Sequence, residues 1–93
     1  MPVAVATVKI ALADARSLKD KRRIIKSLKD RIRREFNVSV AEMDLQDVWQ
    51  SAVLGISAIS PDKRFAEAVV AKVFDFVRSD ARVYVTSFET EVF

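Results

Sequence analysis

The sequence predicts an α+β sandwich in which one four-stranded antiparallel sheet carries two helices on one face. Its 93 residues suffice for a single hydrophobic core and leave little room for a second. The hydrophobic period changes along the chain in the order strand, helix, strand, strand, helix, strand. The composition, 51% hydrophobic and 31% charged with one Gly and two Pro, is too apolar for disorder and too poor in Gly and Pro for a low-complexity chain. Residues 1–93 therefore read as one domain without linker or repeat.

Residues 3–12 are rich in Val and Ile, and both alternate sets are largely apolar, as expected of a strand inside a sheet. Over residues 17–36, Leu18, Ile24, Ile25, Leu28, Ile32 and Phe36 gather on one face of a helix. Ser17 followed by Asp20 is a capping-box pattern that marks its start, and Asn37 marks its stop. Alternation returns over Val38–Val40 and Ala52–Ile59, on either side of the polar stretch Asp44-Leu45-Gln46-Asp47, and predicts a hairpin. Ser60-Pro61-Asp62 predicts an N-cap with Pro at the first helical position. Phe65, Val69, Val73, Phe76 and Val77 then supply the apolar face of a second helix, ending near Ser79, and the last strand runs from Arg82 to Val92. Two βαβ halves with right-handed crossovers, joined by a hairpin, make a ferredoxin-like βαββαβ sandwich.

With neither Cys nor His, the chain has no ligands for a Cys or His zinc site and no Ser-His-Asp, Cys-His or disulfide chemistry. Gly55 stands alone, which excludes a P-loop, a dinucleotide fingerprint, the glycine clamp of KH domains and the Gly-rich loop of acylphosphatases. What remains is carboxylates, Lys, Arg, Ser, Thr and Tyr84. No nucleophile–base pair can be named among them, so the expectation is a protein that is not an enzyme and takes no cofactor. Glu42, Asp44 and Asp47 have the chemistry of a hard-cation site, but acids at a hairpin end are ordinary turn residues, and no metal is expected. The run Val3 to Ala15 has the apolar character of a signal peptide, yet no positive charge precedes it and Lys9 interrupts it. A cytoplasmic location without a membrane span is expected, and the lack of Cys and His with abundant charge suits a thermophile.

The informative quantity is where the charge sits. Residues 16–36 hold ten of the sixteen basic residues against three acids, a segment of +7 that leaves −4 for the rest of a +3 chain. On a helical projection Lys19, Arg22, Lys26, Lys29 and Arg33 fall in an arc of about 20° to 100° from Leu18, beside the apolar face, with no acid of the same helix in that arc. Lys19, Lys21, Arg22 and Arg23 crowd the first two turns of the helix, where the dipole is positive and cations are disfavoured by about 0.3–1 kcal/mol each. Basic side chains beside free amides attract phosphate there, so Arg16, Lys19, Lys21, Arg22, Arg23, Lys26, Lys29 and Arg33 are the candidate anion- or RNA-binding set. The competing reading is a solvated helix whose long stems cover apolar surface, Lys21 in particular. The second helix is the internal control, since its four bases and four acids between Asp62 and Asp80 balance.

Trp49, just after the hairpin turn, reads either as a partner-contacting aromatic or as a residue covering the sheet. The paired strand aromatics of an RNA-recognition motif are missing. Two helices cover one face of a sheet whose first strand is apolar on both, so Val3, Val5, Val38 and Val40 or their opposites, with Tyr84 and Phe88, are expected to form an exposed patch that pairs two copies into a homodimer, through the sheet face or an edge.

Four blocks, Arg16-Ser-Leu-Lys-Asp-Lys-Arg22, Phe36-Asn-Val-Ser-Val-Ala-Glu42, Asp44-Leu-Gln-Asp-Val-Trp-Gln50 and Ala52-Val-Leu-Gly55, resemble the signature stretches of the YlxP-like family of small bacterial proteins, over essentially the whole chain. The resemblance implies the ferredoxin-like fold and transfers no catalytic residue, because the family is a domain of unknown function. Its genes often lie beside those for translation initiation and ribosome maturation factors, which implies RNA or a ribosomal subunit as partner. The alternative is a dimeric protein-interaction module without a nucleic-acid ligand.

Overall fold

Small and branched apolar residues at every second position build the inner face of the sheet. In the computed structural model, which describes residues 1–45 and 47–93, β1 (Val3–Ala11) turns Ala4, Ala6, Val8 and Ile10 inward, and β3 (Ser51–Ile59) turns Ala52, Leu54, Ile56 and Ala58 to the same side. Gln46, in the stretch read as the hairpin turn, lies outside the described residues. The two strands are antiparallel, with Val3 opposite Ile59 and Ala11 opposite Ser51. β2 (Ser39–Asp44) pairs with the far side of β3 and β4 (Tyr84–Val92) with the far side of β1, giving the order β2-β3-β1-β4. α1 (Leu18–Glu35) lies against β2, and α2 (Lys63–Arg78) covers β1, β3 and β4. This is the predicted βαββαβ sandwich.

The strand before the hairpin is longer than its alternation suggests. It runs on past Val40 to Asp44 because Glu42, opposite Leu54, occupies an inward position where it meets a lysine of α1. An acid at a core-facing site masks the period.

The caps follow the side-chain chemistry. Ser17 Oγ accepts from the Asp20 amide at 3.1 Å, as a capping serine should, while the Asp20 carboxylate accepts from the Arg16 amide, also 3.1 Å, one residue before the cap itself. At α2 the N-cap is Asp62, and Pro61 lies outside the helix rather than at its first position. Ser60 Oγ is taken up by the Asp62 amide (3.1 Å), and the Asp62 carboxylate, the better acceptor beside a positive helix end, takes the Arg64 amide (2.9 Å). The buried face of α2 is Ala66, Val70, Val73 and Val77. Phe65, one step of about 100° from Ala66, is 61% exposed rather than part of that face.

The layering sorts the apolar residues expected in an exposed patch. Val40 is buried under α1, and Phe88 stacks on Phe74 of α2 with ring centroids 4.2 Å apart. Both belong to the helix side, where alternation from the strand partners puts them. Val3, Val5 and Tyr84 face away from the helices.

Between α1, α2 and β4, the buried Asp80 carboxylate accepts from Arg31 Nη1 (3.0 Å), Arg82 Nη2 (2.7 Å) and Arg82 Nε (3.0 Å). The Arg82 side-chain hydrogen bonds come first among the causes holding this carboxyl below its ordinary range, and the same bonds raise the Arg82 guanidinium.

Candidate functional site

Eighteen residues of α1 present their polar side in two strips, one toward α2 and one toward β2. Along the β2 side lies a hollow of about 410 Å³ lined by Arg22, Lys26, Lys29 and Arg33 with Ile25, Asp30 and Glu42. Four of the five residues in the basic arc therefore converge on one concavity. Beside it a second hollow, about 340 Å³, is lined by Arg23, Lys26, Ser27, Asp30 and Arg34. Lys26 and Asp30 line both, so their ion pair (2.9 Å) is the ridge between them.

The acids of α1 pair at helical spacing, as Asp30 next to the arc allows, and one further acid comes from β2. Asp30 pairs with Lys26 and lies 3.7 Å from Arg33, and Glu42 enters the hollow from β2, so the basic strip has acids on its borders. The hydrogen bond from Lys26, then the nearby positive charges of Lys26, Arg33 and Arg34, hold the Asp30 carboxyl below its usual range. Asp30 is one carboxylate against the hollow's four cations. Glu42 is committed elsewhere, since its buried Oε2 lies 2.9 Å from Lys21 Nζ in an ion pair without hydrogen-bond alignment.

Lys21 is the clearest correction. It is 1% exposed, sealed under the helix with its ammonium on Glu42 and on the carbonyl of Leu45, and it cannot meet an external anion. The reason is angular: Lys21 sits on the same face as Ile25, Leu28 and Ile32, so its stem is drawn into the core and its charge must find a partner there. That partner set also holds the hairpin. Leu45 adopts a left-handed conformation (φ 62°), its amide donates to Asp44 Oδ1 at 2.8 Å, and its carbonyl accepts from the Val48 amide at 3.0 Å as well as from Lys21.

The other members of the set remain at the surface. Arg16, Lys19, Arg22 and Lys29 have no carboxylate within ion-pair distance among the described residues, and of these Arg22 and Lys29 line the larger hollow. Arg23 is held by Asp20 at 3.0 Å, an exposed contact that contributes little. Arg33 donates to the Val40 carbonyl of the edge strand at 2.9 Å, which ties the far end of the strip to β2. Arg34, in the second hollow, is an addition, because it lies outside the arc defined on α1 alone. Trp49 is 47% exposed in the hairpin loop and lines neither hollow.

Guanidinium and ammonium groups make up the donors of the larger hollow. Such groups recognise phosphate or carboxylate oxygens, and its lining has no aromatic ring on which a base could stack. No cluster of three or more metal-ligating residues is found among the described residues, and no described helix is long and apolar enough to cross a membrane.

Comparison with known proteins agrees on architecture and family. Two solved structures of de novo designed proteins share the fold: Foldit4, at 19% identity and TM-score 0.54 over 100% of this chain and 97% of that one, and LFR1 1 with ferredoxin fold, at 17% identity and TM-score 0.53 over 99% and 85%. The uncharacterized protein YlxP of Bacillus subtilis (strain 168) is 38% identical over 80 residues, covering 86% of this chain and 87% of that protein. The family model described as protein of unknown function (DUF503) matches residues 3–90, and the chain thus belongs to the DUF503 family, of which YlxP is a relative.

Proposed function

We propose that this chain is a non-enzymatic module that binds RNA, within a ribosomal particle, by laying the β2-side strip of α1 against backbone phosphates. The observation that carries this reading is the convergence of Arg22, Lys26, Lys29 and Arg33 on one hollow in which Asp30 is the one carboxylate not already engaged by a buried lysine. Phosphate contacts of this kind supply affinity without sequence information, which suits a surface of fixed charges and no base-stacking ring. Arg16 and Lys19 extend the strip around the helix start.

The test is co-sedimentation of the tagged protein with ribosomal particles from a bacterial lysate at increasing salt. The wild type is expected in the particle fraction at low salt and progressively released as salt rises. Lys26→Glu with Lys29→Glu, checked for folding by circular dichroism, is expected to stay in the supernatant. Retention of that folded double variant overturns the reading, as does capture of an acidic protein by a wild type that ignores RNA.

A further inference from the structure

We infer that the RNA taken by α1 is double-helical, with the helix lying in a groove between the two backbones; this rests on the phosphate-binding reading of the β2-side strip and names the form of RNA that the strip takes. Cations stand on both flanks of α1. The larger hollow holds Arg22, Lys26, Lys29 and Arg33, and the smaller one, across the Lys26–Asp30 ion pair, holds Arg23, Lys26 and Arg34 with Ser27 and Asp30. Arg22 and Arg23 are consecutive, as are Arg33 and Arg34, so the members of each pair point about 100° apart. The two rows that these pairs begin and end run side by side for about 16 Å, or three turns of helix. In angle from Leu18 the β2-side row lies at about 20° to 80° and Arg23 and Arg34 at about 140° to 160°, with Asp30 between them at about 120°.

The second row is not tied into the fold. Arg34 has no carboxylate within ion-pair distance among the described residues, and Arg23 meets Asp20 in an exposed contact that contributes little. The acid beyond it, Asp80, is buried and paired with both Arg31 and Arg82, and so does not repel a phosphate there. A single strand running along α1 lies over one row and leaves the other idle, whereas a double helix offers two backbones at once. A helix with its side chains is about 10–12 Å across, a diameter that the major groove of B-DNA, about 12 Å wide, admits. In A-form RNA the wide groove is the shallow minor one, which presents both backbones to a convex surface. Double-stranded RNA is bound mostly through shape and phosphate contacts, while single strands are held by bases stacked on aromatic rings. Neither hollow has an aromatic ring in its lining, and Trp49, the one tryptophan of the chain, lies outside both. Cations fixed on a preformed helix also suit phosphates that are already ordered, since a flexible strand loses conformational freedom when it binds.

The experiment is fluorescence anisotropy of the purified chain with two labelled probes, an A·U RNA duplex of about 16 base pairs and a single U strand of about 16 nucleotides, starting at about 50 mM salt. The wild type is expected to bind the duplex about tenfold tighter or more, with a salt slope steeper by about two to three units, because Arg23 and Arg34 add two contacts to the four of the β2-side row. Arg23→Glu with Arg34→Glu, folded by circular dichroism, is expected to bring the two affinities within about twofold of each other, and Arg23→Gln with Arg34→Gln to shrink the ratio in the same direction. Lys26→Glu with Lys29→Glu is expected to lose both probes. Equal affinity of the wild type for the two probes overturns the inference and leaves phosphate binding by the β2-side row standing. So does tighter binding of the single strand with quenching of Trp49 fluorescence, or a duplex preference unchanged in both pairs of Arg23 and Arg34 variants. A wild type that binds neither probe overturns the inference and the reading on which it rests.

Discussion

On the side of α1 that faces α2, Arg31 shares the buried carboxylate of Asp80 with Arg82 and lies over the Phe76 ring at 5.1 Å. On the side that faces β2, Arg22 and Lys29 have no carboxylate within ion-pair distance among the described residues, and Lys26 and Arg33 share Asp30. One helix thus carries an arginine tied into the fold and cations left over from it. The difference teaches that basic residues on a helix are not one population. A cation whose donors are used by buried acceptors stabilises, and one whose donors point at solvent is available to a ligand.

The contrast is broken most forcefully by charge reversal on the β2 side. Lys26→Glu with Lys29→Glu is expected to lower RNA affinity by about two orders of magnitude or more, whereas Arg31→Ala on the α2 side leaves it within about twofold, as read by filter binding at low salt. Lys21 sharpens it further. Lys21→Met is expected to cost about 3 kcal/mol in urea unfolding, because Glu42 and the Leu45 carbonyl lose their buried partner, with no loss of RNA affinity in the folded protein. Asp80→Asn comes next, at about 1–2 kcal/mol, since both of its arginines are partly exposed and can reach water. Because the folded Asp80 carboxyl is held below its unfolded value, its contribution is complete above about pH 4 and is lost as pH falls through the lower, folded value; Asp80→Asn is expected to flatten that acid limb. The smallest effect is at Asp30. Asp30→Asn releases Lys26 and Arg33 and is expected to raise RNA affinity about two- to fivefold, an increase that disappears at high salt.

The order of elements was legible because the period changes cleanly between Val3–Leu12, Ser17–Phe36 and the later segments. So was the basic strip, because α1 is long and its projection needs nothing beyond 100° per residue. What one helix cannot reveal is what stands opposite it. Lys21 reads as another cation until β2 supplies Glu42 and the hairpin supplies the Leu45 carbonyl. Arg33 reads as a free end until the Val40 carbonyl of the edge strand is seen beside it. The cluster at Asp80 joins residues as far apart as Arg31 and Arg82, a separation that periodicity does not span. The exposure of Phe65 was missed for a smaller reason, a one-residue error in the phase of α2.

The central claim is that the β2-side strip engages phosphates, and its most direct measure is the salt dependence of RNA affinity for the wild type and for Lys29→Ala between about 50 and 200 mM salt. Four phosphate contacts predict a log–log slope of about −3 to −4 for the wild type, and the loss of one predicts a slope shallower by about one unit for Lys29→Ala. A wild-type affinity that does not change with salt, or an unchanged slope in Lys29→Ala, would contradict it.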